Sequence, residues 1–348
     1  MIRRVGRWLG RLLLVVIALV AVLLAPVGYV ETMCRPEGAP DVYVSLLPPE
    51  HRRAEARTLL TYPEWHIVHA YDDYARVIAT EDPQDFGFGR AIGQYWSSLC
   101  TLSRRSGPMG GVDGPTRQLV YVIGVSFTAE LAMKALYEET LGRLFVALRG
   151  PDHSPLDRLS ADQAAAYATF LQQTPWYLWD FDGDIRALEA ARTDVLRDRE
   201  RRLALGGEYA AKAAYAKVIA QAVAATGFDE LTLRMVVRGL APQQLEAFDG
   251  VTVIGPLGPG IEIETPRYRE LTRLLERMAH AGGDFVEIAG NDQIMFTVTT
   301  SEATLPGALA SLPRQGYGDT RHLALVKVSE LAERLRGLPG GVEHIHDY

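Results

Sequence analysis

A chain that opens on a basic flank and then runs nineteen residues without a charge has few environments open to that run, which here extends from Leu12 to Val30. Residues 1–11 contain Arg3, Arg4, Arg7 and Arg11 and no acid. The length is close to the roughly 20 residues that a helix needs to cross a hydrocarbon core. The flank beyond it carries Glu31, Arg35, Glu37 and Asp41. Arginines before the span and a mostly acidic flank after it orient the N-terminus to the cytoplasm and residues from about 31 onward to the other side. A cleaved signal peptide has the same basic and apolar regions, but its apolar part is usually about 7–15 residues long and ends at small residues. Pro26, Tyr29 and Val30 crowd the place where cleavage would fall, which favours a retained anchor. Cys34 does not read as a lipidation site, because Glu31 and Met33 stand where small or apolar residues normally precede a lipidated cysteine.

That topology constrains the chemistry. Cys34 and Cys100, the two cysteines of the chain, fall on the extracytoplasmic side, periplasmic in a Gram-negative cell, where disulfides persist. A Cys34–Cys100 bridge and two unpaired thiols both stay open, since sequence does not supply Cα geometry. Without the four N-terminal arginines, 32 basic residues face 43 acidic ones, a net charge of −11. Binding to a phosphate backbone needs a basic surface, so nucleic acid is not an expected partner. The expected partners are the membrane, through the N-terminal helix, and an envelope protein or small ligand; no cofactor is expected.

A charged fraction of 23% and a hydrophobic fraction of 48% are those of a globular chain, and 348 residues allow two domains beyond the span. The expected division is 1–30 for the basic flank and signal-anchor, 31–228 for a helical domain and 229–348 for an α+β domain. Helix starts are expected at the Thr61–Glu64 and Ser160–Gln163 capping boxes and at Asp113-Gly-Pro115. The last of these opens a helical stretch ending at Gly150-Pro151, and another runs from about Asp184 to Thr226 with a break at Gly206-Gly207. After Gly227 the pattern turns to alternation, with strands expected at 231–238, 251–254, 285–288, 294–299, 323–328 and 342–346. Helices after Thr265-Pro266 and from Ser329 interrupt them. Gly255–Gly260, with its prolines, reads as a turn from strand to helix. The order suggests a ferredoxin-like α+β sandwich with one open sheet covered on one face by its helices.

The most specific internal feature is a repeat. Glu130-x-Ala-x-Lys134-Ala-x-Tyr137 recurs as Glu208-x-Ala-x-Lys212-Ala-x-Tyr215, 78 residues on, in a chain with four lysines. Glu and Lys at i and i+4 form the favoured helical ion pair, with Tyr at i+7 on the same face, and alanines let helices approach closely. Structural pairing of duplicated helices is one reading. The other is a polar ligand pocket lined by Glu130, Lys134, Tyr137, Glu208, Lys212 and Tyr215, with a lysine as base or nucleophile.

His66, His69 and Asp73 share one side of a helix, but helical zinc motifs place histidines at i and i+4 around a glutamate, and that pattern is missing. These residues read as partly buried and hydrogen-bonded, and no metal site is expected. His344 and His346 alternate on the final strand and read as a solvent-facing pair. No G-x-S-x-G, P-loop or H-E-x-x-H signature occurs. The expectation is therefore a single-pass, membrane-anchored extracytoplasmic protein that binds a ligand or serves as an envelope scaffold without catalysis. The alternative is a membrane-tethered enzyme using the Glu/Lys/Tyr pocket, with or without a metal.

Overall fold

A computed structural model describes residues 2–41, 43–226, 231–338 and 341–348; within these, the side chains of residues 2–7, 9 and 222–226 are not described. The expected domain boundary at 228/229 lies outside the described residues. The chain is mixed helix and sheet, helical in its first part. Nine helices build that part among the described residues: α1 (Ile2–Met33), α2 (Arg57–Leu60), α3 (Tyr62–Ile78), α4 (Phe88–Arg105), α5 (Gly114–Tyr137), α6 (Arg143–Arg149), α7 (Pro155–Leu171), α8 (Phe181–Ala190) and α9 (Leu196–Thr226). Two stretches, Gly10–Met33 and Gly114–Arg149, are long and apolar enough to cross a membrane by length and composition.

The last turn of α1 is tied down. Val30 and Cys34 are buried beside Trp96, Leu99 and Cys100 of α4 and Val120 and Phe127 of α5. A Cys34–Cys100 disulfide, with Cα atoms 5.0 Å apart, joins α1 to α4. Arg117 of α5 stands 3.7 Å from Glu31. Beyond this anchor point, Tyr43 and Ser45 and the backbone amides of Leu46 and Leu47 all donate to the buried Glu287 carboxylate at 2.7–3.0 Å, strapping the connecting segment to the α+β part.

Some helix boundaries differ from expectation for local reasons. Asp113 caps α5 as expected, accepting from the Thr116 amide at 2.8 Å. Thr61 caps nothing with its side chain; α2 runs almost directly into α3, so its backbone is already helical and its hydroxyl donates to Thr58 and Asp347 carbonyls. The start expected at Ser160 falls inside α7, which begins six residues earlier at a Ser154/Asp157 capping box. Gly206 and Gly207 do not break α9; the interruption lies at 191–195 instead. A single π turn, Glu138–Gly142, separates α5 from α6.

The α+β part departs furthest from expectation. Its elements are β1 (Thr232–Arg238), α10 (Pro242–Glu246), β2 (Thr252–Leu257), β3 (Gly260–Pro266), α11 (Tyr268–His280), β4 (Asp284–Ile288), β5 (Gln293–Thr300), β6 (Ala310–Pro313), β7 (Thr320–Lys327), α12 (Val328–Gly337) and β8 (His344–His346). In place of one ferredoxin-like open sheet there are two four-stranded sheets, ordered β2-β3-β1-β4 and β6-β7-β5-β8. Every pairing in both is antiparallel. The two orders are the same pattern, so the chain repeats a strand–strand–strand–helix–strand unit, with α11 and α12 beginning sixty residues apart at Tyr268 and Val328.

Neither unit closes its own core. Helix α11 packs on α12 and on β8, while α12 packs on β4, so each helix covers the last strand of the other unit. The apolar positions of α11 (Leu271, Leu274, Leu275, Met278) follow the i, i+3, i+4, i+7 spacing of a one-sided helix. They enter one shared core with Leu331 and Leu335 of α12, Phe285 of β4 and Ile345 of β8. The second sheet turns its other face to the helical part: Met295, Leu312 and Leu323 pack on Ala56, Leu59, Tyr62 and Leu102. Thr58 seals that junction. Its hydroxyl accepts from the Met295 amide at 2.9 Å and donates to the His346 carbonyl at 2.6 Å.

Candidate functional site

Two polar centres remain once the apolar packing is accounted for, the first partly buried and the second buried. The first contains the repeated helix pattern. Helices α5 and α9 face each other so that the copies exchange partners. Lys134 lies 3.3 Å from both carboxylate oxygens of Glu208, and Lys212 lies 2.8 Å from Glu130 and 2.9 Å from Glu208. The expected i, i+4 pair forms within α9 only; Lys134 crosses to the other helix. Tyr71 of α3 donates to Glu130 at 2.5 Å. Tyrosine rings from α3 and α7 cover the ammonium groups, Tyr74 at 4.3 Å from Lys134 and Tyr71 and Tyr167 at 5.2 and 5.7 Å from Lys212. Such cation–π contacts add to the ion pairs where water is scarce.

Charge in this quartet balances, two carboxylates against two ammonium groups. Burial pushes the Glu208 carboxyl up, but the two lysines outweigh it and hold the group at about 2. Burial pushes Lys212 down, and Glu130 and Glu208 outweigh that in turn, so the lysine stays above its ordinary value. A lysine held protonated in this way is neither a base nor a nucleophile. The cavity beside it, lined by Tyr71, Lys134, Gln163, Trp179 and Lys212, is small, about 30 Å³. The two repeat tyrosines are not part of the centre. Tyr137 donates to Glu200, and Tyr215 is half exposed beside Trp176 at 5.3 Å.

Next to the quartet runs a chain of buried ion pairs that the sequence reading passes over. Arg149 joins Asp82 and Asp157 at 2.8 and 2.7 Å; Arg197 joins Asp157 and Glu200 at 2.9 and 2.7 Å; Arg201 joins Glu200 and Glu138 at 2.6 and 2.8 Å. Arg197 and Arg201 are among the largest fully buried side chains. Glu138 reaches Arg201 because residue 142 is glycine. A Cβ there would lie 2.3 Å from Glu138 Oε2. The sequence signal was the charge run Arg197–Arg202, which has the composition of a solvated helix face.

The second centre lies between α3 and the second sheet. His66, His69 and Asp73 do not converge. His66 Nε2 donates to the Ala91 carbonyl at 2.8 Å on the α4 side, Asp73 accepts from the Gln315 amide at 2.9 Å, and His69 faces Glu343 at 3.8 Å. Among the described residues, no three His, Cys, Asp or Glu side chains are placed to hold a metal ion. His344 and His346, expected on the surface, are buried instead. Trp65 stacks on His344 with ring centroids 3.4 Å apart, and His346 stands edge-on to Tyr62 and His344 at 5.4 and 4.8 Å. The final strand is internal because it pairs with β5 and is covered by Tyr62 and Trp65 of α3 and Thr58 of α2.

Burial dominates the electrostatics of this junction. It lowers His66 to about 4 and His346 to about 3, and lowers His69 and His344 well below the ordinary imidazole range. All four are neutral at pH 7. Burial also raises Asp73 to about 6 against the opposing pull of Arg321. Arg321 is bonded to Glu343 through Nε and Nη2 at 2.5 and 2.7 Å, a bidentate pair at the centre of the junction. Among the described residues, Tyr62 Oη, His69 Nε2, His344 Nε2 and both His346 ring nitrogens find no hydrogen-bond partner. The chain matches no protein-family model, no curated protein and no solved structure.

Proposed function

We propose that the chain is a single-pass, signal-anchored membrane protein whose helical and α+β parts stand on the extracytoplasmic side and act by binding, as a ligand-binding or envelope-scaffold module. The observation that supports the non-catalytic part is the Lys134/Glu208/Lys212/Glu130 quartet, whose charges cancel beside a cavity of only about 30 Å³. The anchoring part rests on the apolar run of α1, whose side chains from Leu12 to Leu24 are nearly all exposed, in a helix held to the folded part at its far end by the Cys34–Cys100 bridge. An open groove of about 720 Å³ along α11, bordered by Glu270, Arg273, Glu276 and Arg277, gives a partner room to dock. Mixed charge of this kind suits specificity more than raw affinity.

Reporter fusions before Arg11 and after Cys34 test the topology; a cytoplasmic signal after Cys34 defeats it. Proximity labelling from the intact chain, compared with an Arg273→Glu/Arg277→Glu variant, tests the binding role. Loss of specific envelope partners in the variant is expected. A labelling pattern that returns no reproducible envelope protein, lipid or glycan removes the reading.

A further inference from the structure

Helices α5 and α6 form a stretch of 36 residues apolar enough to cross a membrane, yet 22% of its most apolar window is buried. A core helix of that composition would be mostly covered. Here Leu119, Val122, Met133, Leu136, Leu144 and Leu148 are 52–70% exposed and follow one another at helical spacing along one side. Exposed positions from Gln118 to Tyr137 carry no charge. The two charged residues of that interval, Glu130 and Lys134, are turned inward and neutralised by Lys212 and Glu208. The repeated helix thus has a second consequence: it clears one face of α5 of charge.

The same helix begins where α1 ends. Val27 and Val30, in the outer turns of the apolar run, pack in one cluster with Val120, Tyr121, Val125 and Phe127 of α5. If Val27 sits in the bilayer, its packing partners sit at the same depth. The stretch cannot itself span. One end is at Glu31 through Arg117, and the other is held by Arg149 to Asp82 and Asp157, with α7 packed on α3. Both ends belong to one folded unit on one side, although 36 residues would measure about 54 Å as a helix. A long helix with an apolar face and both ends on one side lies in the plane of the interface.

We propose that the exposed face of α5 and α6 is seated in the outer headgroup and upper acyl layer of the bilayer that α1 enters, so that the protein holds the membrane by a span and an in-plane helix together. This rests on the anchor reading above. Lipid is the occupant because the face is continuous with the apolar run of α1.

The test uses the full chain in vesicles of phosphatidylcholine and phosphatidylglycerol, with single fluorescent labels on Leu19→Cys, Leu136→Cys, Leu144→Cys and, as a distant control, Glu333→Cys. The native cysteines are bonded to each other and do not react. Quenchers are carried on the acyl chains, either near the headgroup or near the methyl end. We expect quenching at 19, 136 and 144 and none at 333, with positions 136 and 144 responding more to the shallow quencher. Quenching at 19 without quenching at 136 and 144 overturns the proposal and leaves the anchor standing. No quenching at 19 overturns the anchor and this proposal with it. Protection of position 136 from aqueous iodide without lipid quenching, together with dimers linked through that cysteine, assigns the face to a second copy and also overturns it.

Discussion

Replacing His346 by glutamine should change how stability responds to acid, by an amount that follows from burial. In the unfolded chain an imidazole titrates near pH 6.5. In the folded protein, burial holds His346 at about 3, with Glu343 pulling it up and Arg321 pulling it down. The unfolded state therefore takes up the proton first. Stability from this residue is complete above about pH 6.5 and is lost as the pH falls toward 3. At pH 5 the unfolded imidazole is almost fully protonated and the folded one is not, a difference of about 2 kcal/mol. For domains of this size that is roughly 4–8 °C in Tm.

Other groups titrate in both proteins and complicate either curve taken by itself. His66, lowered to about 4, adds a loss of the same sign, whereas Asp73 and Glu55, raised by burial to about 6 and about 7, contribute stability as the pH falls through those values. The informative quantity is the difference in Tm between wild type and His346→Gln, followed by near-ultraviolet circular dichroism in detergent from pH 8 to pH 5. Whatever glutamine costs at pH 8, the gap should close by about 2 kcal/mol at pH 5, because the amide does not titrate. Parallel curves over that range would refute the reasoning, since they require an imidazole that protonates as readily in the fold as out of it.

The remaining expectations concern charge, close approach and the disulfide. Glu208→Gln takes the paired carboxylate from Lys134 and one of two from Lys212, and breaking this partly buried pair should cost about 2 kcal/mol; the Lys134→Met/Glu208→Gln double variant should lose less than the sum of the single losses, and additive losses would show that the pair is not coupled. Gly142→Ala puts a methyl 2.3 Å from Glu138 Oε2 and should lower stability by about 2 kcal/mol in thermal melts, whereas an unchanged Tm would mean that Glu138 does not turn in to Arg201. Opening the Cys34–Cys100 bridge, which closes a separation of 66 residues, should cost about 4 kcal/mol by chain entropy, read as a fall in Tm on reduction.

What could be read from the chain, and what could not, divides along physical lines. Local chemistry was legible. The charge-free run, the Asp113 cap, and the helix ending at Gly150 depend on neighbours a few residues apart, and they fall where the sequence puts them. The E-x-A-x-K-A-x-Y repeat was legible as a pattern, but its partners were not. The i, i+4 rule describes an isolated helix, and it gives way for Lys134 once an antiparallel neighbour offers Glu208 with better shielding from water. The β duplication was hidden for a related reason. Its two unrecognised strands fall one in each unit, β3 inside the first sheet and β6 at the edge of the second, and one begins in a Gly/Pro turn while the other is four residues long. Without them the strand order suggested a single sheet, and the recurrence at Leu271/Leu275 and Leu331/Leu335 had no framework to make it visible. Burial decides the histidines in the same way. Nothing local distinguishes His344-Ile-His346 from a terminal strand in water; what buries it is α2 and α3, more than 260 residues earlier, with Trp65 of α3 stacked on His344 and Thr58 of α2 bonded to the His346 carbonyl. Polar side chains whose environment is set by such distant partners are the ones whose composition misleads. Arg197 and Arg201 are the clearest cases, because six charged residues in a row resemble a wet surface until two other segments bring Asp157 and Glu138 to meet them beside Glu200 of the run itself.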